Sequence, residues 1–326
     1  LASADFNSDG RPDYVAGNLG LNTQYRAGPS RPALLFSGDF KGDGTPQLIE
    51  AYYENDQFYP WRTRKELGAA IPAILRRFPR NDNYASATLG EILGDDKLAE
   101  AERLAATEFQ SGVFLSQSDG THRFEALPRL AQISPFQGLV AGDLDGDGHA
   151  DIYAVQNSYA PIPSVGRFDG GLSQLLRGDG RGQFSAAPLN ESGLVVPGDA
   201  KALVMLDIDQ DGWPDLMVSR NNSTTLVFQN NGVRGRHSLG VRLRGPSGNP
   251  TGVGARITLE HADGATQVSE MFAGSGYYSQ SAAGCFFGWL DANPPRKIRV
   301  RWPNGVTSDH DVSAQSKTVT LSADGS

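Results

Sequence analysis

The 326-residue sequence is rich in turn-forming residues, with 39 Gly and 19 Pro, and 39% of its residues are hydrophobic. No apolar run reaches the length of a membrane-spanning helix, and the short apolar segments favour strands joined by tight turns over a helical bundle. The formal net charge of −8 argues against a general nucleic-acid surface, and the single Cys285 excludes an intramolecular disulfide. We therefore expect an all-β protein without a membrane span or a nucleic-acid partner.

The first predicted element is an acidic loop near the N-terminal end of the sequence. Residues 5–13 read DFNSDGRPD, and the loop positions 1, 3, 5 and 9 are Asp5, Asn7, Asp9 and Asp13. Oxygen ligands at this spacing converge on one point, and calcium prefers such hard ligands. The sequence therefore predicts a calcium site here. Only residues 1–4 precede the loop, which indicates a processed or truncated chain in which no signal peptide is visible.

A second acidic loop, residues 39–47, departs from this pattern at two ligand positions. Lys41 stands where a ligand is expected, and Gln47 replaces the closing aspartate. Asp39 and Asp43 remain, and Glu50 could reach in from the following strand. We expect this fourth site to bind calcium weakly or not at all.

A helical insertion is predicted over about residues 61–108, where the apolar spacing is typical of helices. The segment SGVFLSQSDGTHRF then resumes the strand pattern, so we expect the insertion to interrupt the second repeat. Ile71, Ile74, Leu75 and Phe78 favour packing of a helix with its arginines in solvent. The alternative is a ligand surface, for which the candidate residues are Trp61, Arg62, Arg64, Arg76, Arg77 and Tyr84.

Two further acidic loops keep an aspartate at every ligand position. They are residues 143–151, with Asp143, Asp145, Asp147 and Asp151, and residues 207–215, with Asp207, Asp209, Asp211 and Asp215. Apolar strands flank each loop, and the third repeat reads as a four-stranded antiparallel unit. This repetition favours a β-propeller of four-stranded blades, partial or open, over about residues 1–235.

Two other interpretations of the acidic loops are less favoured. An EF-hand would carry a bidentate Glu at position 12 and flanking helices, but position 12 is Ala16, Ala154 or Val218 in three copies. Simple Asx turns would need no metal. However, three intact copies of closely spaced carboxylates would repel one another without a cation.

The C-terminal part, residues 236–326, contains the alternating runs GARITLEH, TQVSEMFA, KIRVRW and KTVTLS, which predict a small antiparallel β domain. Within it, the GSGYYSQ segment carries Tyr277 and Tyr278. We expect these tyrosines to pack, although they could also offer an aromatic surface for sugars.

The acidic loops and the strands after them resemble the integrin-like FG-GAP or VCBS repeats over about residues 1–230. From about Gly240 onward, the sequence resembles the ASPIC/UnbV domain in the segments VRLRGPSGNPTGVGARITLE, EMFAGSGYYSQSAAGCFFGWL and KIRVRWPNGVTSDHDV. Together they are similar to bacterial relatives of the cartilage acidic protein family. That resemblance implies a calcium-binding propeller and an exported protein, without naming a reaction.

We predict a calcium-stabilised extracellular interaction module that binds a protein or a glycan, and we expect no catalysis. Its location would be secreted, periplasmic or at the cell surface, with about three calcium sites. One alternative is a polysaccharide lyase or hydrolase that uses carboxylates outside the loops, with candidates Glu50, Glu54, Asp169, Glu191 and Asp199. Another is a purely structural part of a larger exported protein.

Overall fold

The computed structural model describes residues 1–323 and is mostly β, with 38% strand and 11% helix. The 22 strands of these residues are β1 Ala2–Ala4, β2 Asp13–Ala16, β3 Ala33–Gly38, β4 Gln47–Glu54, β5 Gln57–Pro60, β6 Glu102–Ala106, β7 Gly112–Ser116, β8 His122–Ala126, β9 Phe136–Gly142, β10 Asp151–Gln156, β11 Gln174–Gly178, β12 Phe184–Ala186, β13 Ala200–Leu206, β14 Asp215–Arg220, β15 Leu226–Phe228, β16 Arg236–Arg244, β17 Arg256–His261, β18 Thr266–Glu270, β19 Cys285–Leu290, β20 Pro295–Arg301, β21 Thr307–Asp311 and β22 Thr318–Ser322.

The helices are short. Within residues 1–323 they are α1 Arg64–Ala70, α2 Ala73–Arg77, α3 Asn81–Ala85, α4 Leu89–Leu93, α5 Asp95–Glu100 and α6 Leu189–Ser192, with one 3-10 turn at Arg129–Gln132. Thr63 and Thr88 cap α1 and α4 through capping boxes with the glutamates three residues later. No helix in the described part of the chain is long and apolar enough to cross a membrane.

Four sheets each carry one acidic loop between their first two strands in sequence. Their strand orders are β1-β2-β7-β8 (sheet 1), β5-β4-β3-β6 (sheet 2), β12-β11-β10-β9 (sheet 3) and β13-β14-β15 (sheet 4). We number the loops with their sheets: loop 1 is residues 5–13, loop 2 is 39–47, loop 3 is 143–151 and loop 4 is 207–215. In all four sheets the ninth loop residue pairs with the residue that precedes the loop. The four loops therefore share one strand register, although loop 2 differs in sequence at Lys41 and Gln47.

Sheets 1, 3 and 4 pack in series through two apolar layers. The first layer joins sheets 1 and 3 and contains Phe6, Val113, Ile152 and Leu176 among its buried residues. The second joins sheets 3 and 4 and includes Tyr153, which is fully buried. The prediction of an all-β protein is confirmed. The sheets do not close into a propeller or a barrel within residues 1–323.

The chain forms two compact units, and the second is inserted into the first. Unit 2 is Thr23–Phe109; unit 1 is Leu1–Asn22 together with the chain from Gln110 onward. Unit 2 contains sheet 2, helices α1–α5 and its own core. Of the four residues expected to pack, Ile71 and Ile74 are buried and Phe78 packs against the core, but the prediction was wrong for Leu75, which is exposed.

Our assignment of residues 112–126 to the second repeat was wrong. Strands β7 and β8 belong to sheet 1, where Ala16 of β2 pairs with Gly112 of β7. The strand that follows the helices within the inserted unit is instead β6, which pairs with β3 in sheet 2. Alternating apolar residues identify a strand but not its partner, because any open sheet edge of matching register can accept it.

The C-terminal part of unit 1 forms sheet 5 (β19-β16-β22) and sheet 6 (β18-β17-β20-β21) around one core. The expectation of purely antiparallel pairing was wrong at one place, because β22 runs parallel to β16, with Gly240 opposite Thr318. Cys285 lies in this core, and burial raises the pKa of its thiol to about 11. It therefore behaves as a small apolar residue.

Candidate metal sites in the acidic loops

The first aspartate of every loop holds the loop closed. Its carboxylate accepts a hydrogen bond from the backbone N–H of the glycine at position 6: Asp5 from Gly10 (2.8 Å), Asp39 from Gly44 (2.8 Å), Asp143 from Gly148 (2.7 Å) and Asp207 from Gly212 (3.2 Å). All four glycines have φ between 80° and 95°. A side chain would strain this left-handed turn, which explains the glycine at position 6.

The closing aspartate ties each loop of unit 1 to the rest of its sheet. Asp13, Asp151 and Asp215 are fully buried. One oxygen of each accepts from the N–H of loop position 2, at 3.0, 3.1 and 2.8 Å. The other accepts from a backbone N–H beyond the loop, on Ser116, Gly178 or Asn230, at 2.7, 2.9 and 2.8 Å. The loop spacing suggested a ligand here but did not reveal this structural role.

Loops 3 and 4 each bring three carboxylates together. The groups are Asp143, Asp145 and Asp151, and Asp207, Asp209 and Asp215, with one oxygen from each residue within 4.8 Å of the others. These are positions 1, 3 and 9 in both loops. Calcium binds oxygens at 2.3–2.6 Å, so two ligands of one ion lie at most about 5 Å apart. Both triads could hold a metal ion of this kind. In loop 1, position 3 is Asn7, and an amide oxygen would stand in the equivalent place.

Burial, and then the repulsion between its carboxylates, disfavours the ionised form of loop 3. Burial, followed by the charge of Asp147, raises the pKa of Asp143 to about 7. Burial and the charges of Asp145 and Asp143 raise the pKa of Asp151 well above its usual range. Burial likewise raises the pKa of Asp5 and Asp13 in loop 1. A bound cation would favour the ionised carboxylates and reverse these shifts.

Protein cations partly neutralise loop 3. Arg236 of β16 forms an ion pair with Asp145 and lies 3.7 Å from Asp147, while Arg177 of β11 lies 3.3 Å from Asp145. In loop 4, by contrast, none of the four aspartates forms an ion pair with a residue of the described chain, 1–323. Asp209 accepts a hydrogen bond from the side chain of Gln229. Loop 4 is therefore the site with less competition for an incoming cation.

Loop 2 pairs its lysine with one of its two aspartates. Lys41 at position 3 lies 2.6 Å from Asp43, and its backbone N–H donates to Gln47 at 2.8 Å. Glu50 does not complete the loop, because it forms an ion pair with Arg62 at 2.8 Å. The positive charge of Lys41 and the missing carboxylate both oppose calcium binding.

The C-terminal part packs closely against the three loops of unit 1. A Cβ at Gly288 of β19 would lie 2.2 Å from Oδ2 of Asp143, and one at Gly212 would lie 2.2 Å from the carbonyl oxygen of Lys317. In loop 1, Arg256 of β17 donates to the carbonyl oxygen of Gly10. Loops 1, 3 and 4 thus form the surface against which sheets 5 and 6 pack. The sequence offers one sign of this contact, which is a glycine in the middle of the apolar strand β19.

The remaining candidates from the sequence are placed separately. Asp199 pairs with Lys201 at 2.6 Å, and Glu191 with Arg177 at 3.2 Å. The expectation that the GSGYYSQ tyrosines pack was wrong for Tyr278, which is 86% exposed and contacts Tyr277 edge to face at 4.4 Å.

Comparison with known proteins identifies the C-terminal part. The family described as ASPIC and UnbV matches residues 245–326, which confirms that resemblance. The FG-GAP or VCBS resemblance of the preceding part is not confirmed by a family match. No curated protein matches the chain.

Among solved structures, the chain is similar to the V. cholerae biofilm matrix protein Bap1, with 11% identity and a TM-score of 0.17. The alignment covers 97% of this chain and 48% of that one, so the chain spans about half the length of Bap1. A TM-score this low supports no argument about fold or function.

Proposed function

We propose that the chain is a calcium-stabilised extracellular interaction module that binds a protein or a glycan. Loops 1, 3 and 4 are its calcium sites, and their ligands are the aspartates at positions 1, 3, 5 and 9, with Asn7 in loop 1. The observation that carries the proposal is the pair of acidic triads at identical loop positions in equivalent sheets. Independent turns would not be expected to repeat both the ligand positions and the strand register.

Sheets 1, 3 and 4 are, in this proposal, consecutive blades of an open FG-GAP or VCBS-type propeller. Each is an antiparallel meander, and neighbouring sheets pack face to face through the two apolar layers. Such stacking of meanders around an axis is the construction principle of propellers. Sheet 2 repeats the loop but belongs to the inserted unit.

In this arrangement, calcium makes the loop surface that packs against sheets 5 and 6 rigid. Unneutralised carboxylates in loop 3 oppose folding, because burial disfavours their charged forms. Ligation would keep them ionised and fix the backbone against which Gly288 packs. An ion that binds only the folded chain stabilises it by mass action.

The proposal includes an extracellular, periplasmic or cell-surface location. Extracellular calcium modules work with dissociation constants of about 10⁻⁴–10⁻³ M, which only the calcium concentrations outside the cytosol can saturate. The resemblance of the sequence to bacterial relatives of the cartilage acidic protein family, which implies export, supports the same location.

Calcium titration calorimetry on the full chain tests the metal sites. We expect about three sites in the wild type and the loss of one in Asp145→Ala and in Asp209→Ala. Asp39→Ala in loop 2 is the matched control and should leave the binding heat unchanged. If no calcium binds, or if Asp39→Ala lowers the stoichiometry as the other variants do, the proposal fails.

Ligand binding is tested separately on protein and glycan arrays, with calcium and with chelator. A ligand bound more tightly in calcium would support the interaction role. A calcium-stabilised chain that binds nothing would instead be a purely structural part of a larger protein.

A further inference from the structure

A cleft of about 390 Å³ lies entirely within unit 2, where strand β5 ends and helix α1 begins. Tyr52, Tyr59, Arg64, Lys65 and Asn81 are among its lining residues, and no carboxylate lines it. Its volume is in the lower range of small-molecule sites. The acidic loops of unit 1 make no use of this cleft.

One wall of the cleft is aromatic. Tyr52 of β4 and Tyr59 of β5 are cross-strand partners, and their rings lie 5.7 Å apart at an angle of 29°. Trp61 supports Tyr52 from a ring-centroid distance of 4.7 Å. Such a platform presents negative π faces to the weakly positive C–H groups of a sugar ring, while phenolic hydroxyls can bond its polar groups.

Another part of the lining is cationic, and neither Arg64 nor Lys65 forms an ion pair there. Arg64 donates from Nε to Oδ1 of Asn81 at 2.7 Å and from Nη1 to the carbonyl oxygen of Phe78 at 3.1 Å. Both acceptors are neutral, so the guanidinium is held in place and keeps its full charge. No ion pair among residues 1–323 involves Arg64 or Lys65. In a chain of net charge −8, a guanidinium held in place and an exposed ammonium in a cleft that no carboxylate lines favour an anionic ligand.

We propose that this cleft binds an acidic saccharide, about one or two sugar rings that carry a carboxylate or a sulfate. The sugar face packs on Tyr52 and Tyr59, and the oxyanion pairs with Arg64 and Lys65. This inference rests on the proposed interaction role and names its ligand class. A nucleic acid fits less well, because the overall negative charge opposes a long polyanion and the cleft is short.

The test is calorimetric titration of the full chain with four probes: a galacturonate trisaccharide, a sulfated heparin disaccharide, a neutral cellotriose and a short single-stranded oligonucleotide. We expect binding of at least one of the two acidic saccharides, weakened by salt, and little or none of cellotriose. The acidic probe that binds more tightly shows whether the cleft prefers a carboxylate or a sulfate. Binding of neither acidic probe, or preference for the oligonucleotide, would overturn the inference.

Variants then locate the site. Arg64→Gln should weaken acidic-saccharide binding about tenfold or more, as the loss of a charge-assisted pair does. Lys65→Gln, at an exposed residue without hydrogen bonds or ion pairs in the described structure, keeps the test valid if Arg64→Gln misfolds. Arg76→Gln is the control, since Arg76 is an exposed arginine of the same unit outside the cleft. Equal weakening by Arg76→Gln would overturn the assignment.

Chelator separates this inference from the metal sites. Below the melting temperature, saccharide binding should persist in chelator, because unit 2 contains only loop 2. Loss of calcium binding with retained saccharide binding would defeat the metal proposal alone. Calcium binding without any saccharide binding would contradict only the proposal that the cleft binds an acidic saccharide.

Discussion

Loop 3 should make the metal-free protein lose stability as pH rises. The pKa of Asp143 is about 7 in the folded chain against an ordinary 3.8, a difference of about 3 units. At about 1.4 kcal/mol per unit, this residue contributes about 4 kcal/mol that is fully present below about pH 4 and lost as pH rises through 7. Asp147 and Asp151 act in the same direction, because their pKa values are also raised.

Calcium should reverse this trend. Ligation requires ionised carboxylates, so calcium adds more to the free energy of unfolding at about pH 8 than at about pH 5. The measurement is denaturant unfolding followed by tryptophan fluorescence across this range, in chelator and in saturating calcium. Asp309→Asn is a control, because hydrogen bonds from Arg299 and Lys297 keep the pKa of Asp309 far below the range tested.

Ordinary surface carboxylates would give the opposite or no slope in this range. If the chelated protein gains stability between about pH 5 and pH 8, the burial of Asp143 does not raise its pKa as described. If the calcium contribution is the same at both ends, the ion does not neutralise loop 3. Either result would refute the reasoning.

Three further predictions concern single residues. Gly288→Ala should destabilise the protein by about 1–3 kcal/mol in urea unfolding, because the new Cβ would overlap Asp143. Gly240→Ala is the control and should cost less, because its Cβ would meet no atom closer than 3.4 Å. Equal effects of the two substitutions would contradict the close packing at Gly288. Arg236→Gln should raise the calcium affinity of loop 3 in calorimetry by removing a competing cation, and an unchanged affinity would show that the ion pair does not compete. Lys41→Asp should create calcium binding in loop 2, and an unchanged stoichiometry would mean that Gln47 alone prevents it.

The repeated elements of the fold were readable from the sequence because their signals are local. Each acidic loop follows one apolar strand and precedes another, and the glycine at position 6 marks a turn that needs positive φ. The replacement at Lys41 was visible for the same reason. What a residue contacts within about ten positions is encoded in spacing and residue type.

The contacts between distant parts of the chain were not readable. Asp13 bonds Ser116 across more than 100 residues of sequence, and Arg236 reaches Asp145 across 91. The direction of β22 and the partner of β7 depend on which sheet edge is free to pair with each strand. Alternating hydrophobicity specifies the buried face of a strand but leaves its neighbour undetermined.

The position of unit 2 in the sequence has an evolutionary consequence. The chain departs from sheet 1 after β2 and returns at β7, and these strands are hydrogen-bonded neighbours, with the backbone of Asn18 also donating to Ser111 at 2.9 Å. A tight hairpin could therefore replace the whole of Thr23–Phe109 without altering the strand order of sheet 1. Recombination at the two ends of this segment could exchange unit 2 for another insert while sheets 1, 3 and 4 and their acidic loops are inherited unchanged.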